Sequence, residues 1–491
     1  MKRTKQIKRS LLKKTAALAT SVIMFASSLS FPELKDGFKD MFLEVSAAVD
    51  TSVININYPT IYTLEQLYQF SEDYYNNPGF YQRAKVEIVI TEAVEISPTY
   101  HGKTWRPIGG KAKDGKEYPF GGVIYISTTA SAQNFTVNMP LFENIYDSVE
   151  TYSLTPTLAP TPPQKINLVR NDDADTALFA NNVISDPLKA SAKASPARWD
   201  ITTTGSGKYT GIINTADEGA EVNLDLTLNS NAAIESSGNA GIICGTMKKD
   251  SKVNAVVSSS STGTISTVTS TDGSAGGLVG EMCQGSELDI VPGNILTASS
   301  TRTITGKTYA GGLVGKNDQG TVVIKEQTGT DAEGKPEYGG DLSYDAKGNV
   351  YADTGSGSAG GIFGYYKVPS ANNKFSSIYY KSTTGCTLKG KTVGGLVGVL
   401  EGNGNDLAYS GTSTARVSVK SAHSDSSGRY GGIIGRYSNT SLQNKLEIEY
   451  VDVEMSGSDN ATKIRAAICS GSGIQCKVIY LYIYSRCKFL T

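Results

Sequence analysis

The sequence has little of what chemical sites are usually built from. It holds two His, His101 and His423. Neither stands near a second metal ligand at a recognised spacing, and there is no HExxH, so a zinc-peptidase reading has no support within these residues. The six Cys form no CxxC pair, which argues against a zinc site. Cys244 and Cys469 take apolar repeat positions, Cys283 and Cys386 stand alone, and Cys476 and Cys487 lie in an odd tail. Buried single thiols are therefore expected, not a disulfide framework. No GxSxG precedes a helix, so nucleophilic serine chemistry has no signature. Gly-rich stretches such as Gly355 to Gly361 lack the Lys-Ser/Thr ending of a phosphate loop. Charged residues, at 19%, fall below the usual share of about a quarter. No basic patch survives past the N-terminus that would suggest a nucleic-acid partner, and none is expected.

What is present is small and polar. Gly numbers 52 against 16 Pro, hydrophobic residues make up only 39%, and Ser, Thr and Asn fill the difference. That balance fits a thin structure with much surface, a solenoid or a sandwich array. The net charge of −1 is uneven: residues 1–47 carry nine Lys or Arg and four acids. Residues 1–48 read as an export signal. Seven cations crowd residues 2–14, and the apolar run Thr15 to Phe31 is too short and too Ser-rich to span a bilayer. Cleavage is expected after Ala47 or Ala48, with an uncleaved N-terminal anchor as the alternative. The expected location is secreted or cell-surface, in a Gram-positive bacterium, with membrane contact only through this signal.

Residues 49–135 read as an N-terminal cap. A helix is expected from Thr63 to about Tyr75, because Thr63 and Gln66 have capping-box spacing. Leu64, Leu67, Phe70 and Tyr74 share one of its faces, and Asn76-Asn77-Pro78-Gly79 stops it. Val86 to Ile90 read as a strand.

Residues 136–473 carry the repeats. Ala275 to Gly280 and Ala310 to Gly315 both read AGGLVG. Looser copies end at Glu143, Ala180, Asn214, Gly245, Gly364, Gly398, Gly435 and Ser470, giving about ten units of about 35 residues. The long interval from Gly315 to Gly364 contains an insertion, Gly329 to Pro336. The first apolar column is Leu141, Leu178, Ile212, Ile243, Leu278, Leu313, Ile362, Leu396, Ile433 and Ile468. The second is Phe142, Phe179, Ile213, Cys244, Val279, Val314, Phe363, Val397, Ile434 and Cys469. Such columns form continuous ladders inside a coil. The motif glycines, Gly277, Gly280, Gly312, Gly315, Gly361, Gly364, Gly395, Gly398, Gly432 and Gly435, are expected where the chain bends or a neighbouring rung comes close. With two further strand signals per unit, such as Thr321 to Ile324 and Thr303 to Thr305, each repeat reads as one triangular turn. The fold class is all-β: a parallel β-helix with a short helical cap.

Thr155 to Pro163 (TPTLAPTPP) reads as a loop bulging from one coil, with a domain boundary as the lesser reading. The tail 474–491 has no Gly motif. It is either a C-terminal edge strand or, the favoured reading, the truncated end of a longer protein.

The signature at Gly277 to Gly280, Gly312 to Gly315 and Gly395 to Gly398 resembles the GLUG motif. Trp105 to Gly110, Pro119 to Gly122 and Pro140 to Phe142 resemble the opening that leads such arrays. The motif occurs in bacterial surface proteins and in non-catalytic parts of IgA-specific metallopeptidases. The resemblance implies a β-helical, adhesin-like surface protein, and it does not imply an enzyme. The first two tetrads and the last lack Gly and depart from the pattern.

Two clusters compete with a purely structural reading. Asp172, Asp173 and Asp175 beside Arg170 could supply paired carboxylates with calcium or a base, as in carbohydrate-active β-helix enzymes; exposed turns between coils are the expected role. Tyr365-Tyr366 and Tyr379-Tyr380 could stack on sugars; filling of the coil is the expected role. The sequence reading is therefore a non-catalytic binding or spacer protein with no cofactor and no metal. Its partners would be host or cell-wall glycans or surface proteins, contacted through varied loops such as 325–355. The alternatives are a carbohydrate-active β-helix lyase or hydrolase, or the accessory region of a larger metallopeptidase.

Overall fold

In the computed structural model, parallel strands stack in register as a β-solenoid. The structure describes residues 57–90, 94–127, 134–154, 166–188, 198–228, 232–259, 265–292, 302–330, 336–341, 345–368, 383–402, 407–410, 417–423, 429–438, 445–457 and 475–485. The export signal, the Pro-rich stretch Thr155 to Pro163, the tetrad ending at Ser470 and Tyr379-Tyr380 lie outside them.

One turn shows the logic. Ala275–Gly276 is a short strand, Gly277 and Leu278 make a bend, and Val279–Met282 opens the tetrad strand. Glu287–Pro292 and Thr303–Gly306 follow, and Tyr309–Gly311 starts the next turn. The turn therefore has four faces where strand signals suggested three. The motif itself contains a corner, and the short strand before it is too brief to produce an alternation signal.

Among the described residues, the tetrad sheet and the sheet after it have nine strands each, the next has ten, and the short fourth face has five. With the Ala240–Ala275 bridge, about six turns carry all four faces. The expectation of about ten equal repeats is thus an overcount. The earliest turns have another cross-section, built on a three-stranded sheet of Lys85–Ile88, Val123–Ser127 and Glu150–Leu154.

The second apolar column is a true ladder over seven rungs: Ile213, Cys244, Val279, Val314, Phe363, Val397 and Ile434 are register partners in sequence. Each side chain is fully buried. Removing each from water stabilises by about 2 kcal/mol, and a one-residue slip would turn the whole set outward. The expected column errs once. Ala180, not Phe179, pairs with Phe142 and Ile213. Phe179 is buried one position earlier and packs on Phe142 and Trp199. Apolar type alone could not separate these adjacent residues. The next sheet stacks Val222, Val253, Leu288 and Val322 inward. Outward, Asn254 donates to Asn223 across 2.8 Å.

Helix α1 (Leu64–Asn76) starts as expected. The Thr63 hydroxyl accepts from the Gln66 N–H, and the Gln66 side chain accepts from the Thr63 N–H. Its buried face, Leu67, Phe70 and Tyr74, is joined by Tyr68, whose hydroxyl donates to the Ser97 carbonyl at 2.6 Å. The Trp105 indole donates to the Pro140 carbonyl, and Ile108 and Phe120 bridge to Phe142 and Ile145. The Gly-rich opening thus lays the rung beneath the first tetrad strand.

Thr321–Thr330 turns back antiparallel onto Pro336–Asp341, the last strand of its sheet. Of the insertion at 329–336, Gly329, Thr330 and Pro336 are described, and they lie where these two strands meet, Thr330 paired with Pro336. Asp345–Ala352, expected within a contact loop, is instead a coil strand between Thr303–Gly306 and Thr383–Lys389. In the tail, Gln475–Ser485 is a strand parallel to Lys445–Gly457. Among the described residues no helix is long and apolar enough to cross a membrane.

Candidate functional site

The motif residues build a corner. Gly277-Leu278, Gly312-Leu313, Gly361-Ile362, Gly395-Leu396 and Gly432-Ile433 are two-residue bends between the short fourth face and the tetrad strand. Val279, Val314, Phe363, Val397 and Ile434 open the tetrad strands, and Gly280, Gly315, Gly364, Gly398 and Gly435 follow them. The apolar members point into the core. The reason for glycine is close approach, since neither Gly277 nor Gly280 has positive φ. A Cβ on Gly277 would lie 2.3 Å from the Gly312 carbonyl oxygen one rung away, and one on Gly280 would lie 2.6 Å from the Ala240 nitrogen. The corner leaves no room for a ligand.

The acidic cluster divides. Asp173 accepts from the Lys208 backbone N–H at 3.0 Å and pairs with its ammonium at 3.6 Å. Asp175 accepts from the Ser237 N–H and hydroxyl at 3.3 and 2.6 Å. Each ties its turn to a turn of a later coil, and Lys208 in turn pairs with Glu235. Arg170 does not join the carboxylates. It runs into the core and is fully buried, donating to the Thr176 hydroxyl at 3.4 Å and the Ala177 carbonyl at 3.1 Å. Burial pulls its pKa down to about 10, against smaller opposing pulls from Tyr209 and Asp172. It stays cationic at neutral pH. Among the described residues no cluster of His, Cys, Asp and Glu could hold a metal ion.

Tyr365 and Tyr366 are both buried. Tyr366 stacks on Phe363 at 5.0 Å, and Tyr365 donates to Glu401 at 3.0 Å. Burial and then Glu401 raise the Tyr365 phenol pKa. Tyr366 fills the coil, and Tyr365 is held against Glu401, so neither ring lies open as a platform for a sugar. Cys244 and Cys386 are buried and Cys283 half-buried, all as free thiols. Burial pushes the Cys244 thiol up to about 12. His101 is exposed and stacks on Tyr100 at 4.1 Å.

Sequence reasoning missed three polar features. Arg83 and Asp186 pair across the early turns. Glu281 bridges rungs, accepting from Lys316 at 2.6 Å and from Asn239 at 2.7 Å. The burial of Arg170 was the third. Its spacing from Ile166 and Leu168 on the inward side of the strand was the available signal.

The fold and these contacts define a parallel β-solenoid held by core ladders and rung-to-rung polar bonds. No protein-family model, curated protein or solved structure matches this chain.

Proposed function

We propose that this chain is an exported, adhesin-like β-solenoid of a Gram-positive bacterium, working outside the cell as a non-catalytic binding and spacer protein. The observation that carries the reading is the commitment of the candidate site groups to architecture: Asp173 and Asp175 bond neighbouring turns, Tyr366 fills the core, and Tyr365 is buried against Glu401 of a later rung. The signal-like N-terminus and the GLUG-like corner support it from the sequence side. Contact with host or cell-wall glycans, or with surface proteins, would fall on broad outer faces and on the hairpin Thr321–Thr330/Pro336–Asp341, since the interior is filled. The helical segment before the coils serves as the cap over the first turn.

The test expresses the full chain in a Gram-positive host. Recovery from the medium or wall, with an intact mass beginning after Ala47 or Ala48, supports export. Saturable binding to host-cell or wall glycans without turnover, with and without calcium, supports the binding role. Clear glycan degradation would replace this reading with a carbohydrate-active enzyme.

A further inference from the structure

Arg170 presents an unbalanced charge inside the coil. Its side chain is 0% exposed, and its two hydrogen bonds go to the neutral Thr176 hydroxyl and Ala177 carbonyl. Its Nε–H has no partner. Three buried hydroxyls, of Thr203, Tyr209 and Thr210, meet no partner outside this cluster, with Thr203 and Tyr209 facing one another. These groups belong to one neighbourhood. Thr203 is register partner to Leu168, two residues before Arg170. Tyr209 lies close enough to Arg170 and Thr203 for each to shift its phenol, though burial dominates and holds it up at about 12. The Thr210 N–H donates to the carbonyl of Thr176, whose hydroxyl accepts from the guanidinium. Gly205 packs its backbone directly against that of Arg170: a Cβ there would lie 2.1 Å from the Arg170 carbonyl oxygen.

Among the described residues no carboxylate bonds to this group. Asp172, the acid nearest in electrostatic terms, is exposed. The stretches 155–165, 189–197 and 229–231, which flank these strands in the chain, contain no Asp or Glu. A buried cation without a counter-charge is costly, and a cluster of unpartnered buried polar atoms calls for a missing partner. The chemistry of that partner follows from the atoms. Nε can only donate, and each hydroxyl can turn to donate. A ligand that only accepts, with one negative charge, takes the donors this cluster leaves over and neutralises the guanidinium. Water brings no charge and must itself donate.

We propose that the core around Arg170 binds one small monovalent anion of the halide class, held by the Arg170 Nε–H and the hydroxyls of Thr203, Tyr209 and Thr210. The site lies where the ten-stranded sheet begins, at Lys208–Tyr209. Bound anion would fasten that first rung to the coil below.

The test uses the full chain purified in sodium gluconate. Chloride is titrated in at fixed ionic strength while the unfolding midpoint is read. Once the site is saturating, each tenfold rise in chloride should raise the midpoint by roughly 2 °C. Arg170→Met should abolish that dependence, and Tyr209→Phe, which keeps the guanidinium, should weaken it. Crystals grown in sodium bromide should show an anomalous peak beside the Arg170 Nε. Equal midpoints in gluconate and chloride, or an equal chloride dependence in Arg170→Met, would overturn the proposal. So would a bromide map holding only water there; this readout and Tyr209→Phe remain decisive if Arg170→Met does not fold.

Discussion

Arg83 grips Asp186 with both guanidinium nitrogens, at 2.6 and 2.8 Å. The partners are 103 residues apart, and Asp186 also accepts from the Ser148 hydroxyl and the Leu188 N–H. This pair fastens the segment just after α1 to the turn that follows Ala180–Ile184. Burial would raise the Asp186 carboxyl, but the bonds from Arg83, Ser148 and Leu188 outweigh it and hold its pKa below the ordinary value.

Asp186→Ala should therefore leave a half-buried guanidinium unpaired and cost about 3 kcal/mol. The depressed folded pKa also sets a pH dependence. The contribution of Asp186 is complete above the unfolded carboxyl value of about 4 and fades as pH falls through the lower folded value. Unfolding midpoints between pH 7 and pH 2 should drop more steeply in the wild type than in Asp186→Asn. Parallel curves would remove Asp186 from the acid response.

The corner glycines should be intolerant for a steric reason. A Cβ on Gly276 would sit 1.9 Å from the Val279 carbonyl oxygen and 2.6 Å from the Gly315 nitrogen on the next rung. Gly276→Ala should destabilise by about 3 kcal/mol or abolish folding. Gly79 has nothing within 4 Å and lies in the short helix Pro78–Tyr81, so Gly79→Ala should be neutral or stabilising by about 0.5 kcal/mol. Equal effects in denaturant melts would refute close approach as the cause.

Leu313 is fully buried at the bend, and Leu313→Ala should cost about 3 kcal/mol. Hydrogen exchange should show the loss concentrated in Val279–Met282, Val314–Asp318 and Phe363–Lys367, because stacked turns support mainly their neighbours. A uniform loss over all turns would show the array to be more cooperative than nearest-neighbour stacking.

Asp173→Asn with Asp175→Asn tests the acidic turn. Both carboxylates are exposed, so their ion pair and hydrogen bonds should be worth less than about 1 kcal/mol together. The double variant should keep its melting curve and the glycan binding proposed for the chain. Loss of a catalytic activity in the double variant would give these residues another role.

The Cys244 thiol, pushed up to about 12 by burial, should stay unalkylated by iodoacetamide at pH 8 while the protein is folded. Half-buried Cys283 should react first. Mass analysis of timed samples ranks the two, and faster reaction at Cys244 would contradict its burial.

The core ladders were legible because burial imposes one residue class at one spacing, turn after turn. The capping box at Thr63 was legible for a similar reason: it is a local rule with two fixed positions. What could not be read depends on three-dimensional neighbours. Whether Phe179 or Ala180 faces Phe142 is decided by backbone register, to which two adjacent apolar residues are nearly blind. The fourth face is only two or three residues long at Ala275–Gly276 and Ser358–Gly360, too short to alternate. Arg170 looked like part of an acidic turn because sequence adjacency hides direction. Its strand sends it inward while Asp172 and Asp173 stay in water.

The parallel stacking has a mechanical consequence. The backbone hydrogen bonds join each strand to the rung above and below, so they lie along the stacking direction. Tension applied along that direction meets them a few at a time, as in peeling, and never shears a whole sheet at once. Each freed turn of about 35 residues would pay out on the order of 100 Å of chain. A tethered molecule of this kind would yield in steps under flow and rewind from the turns still standing.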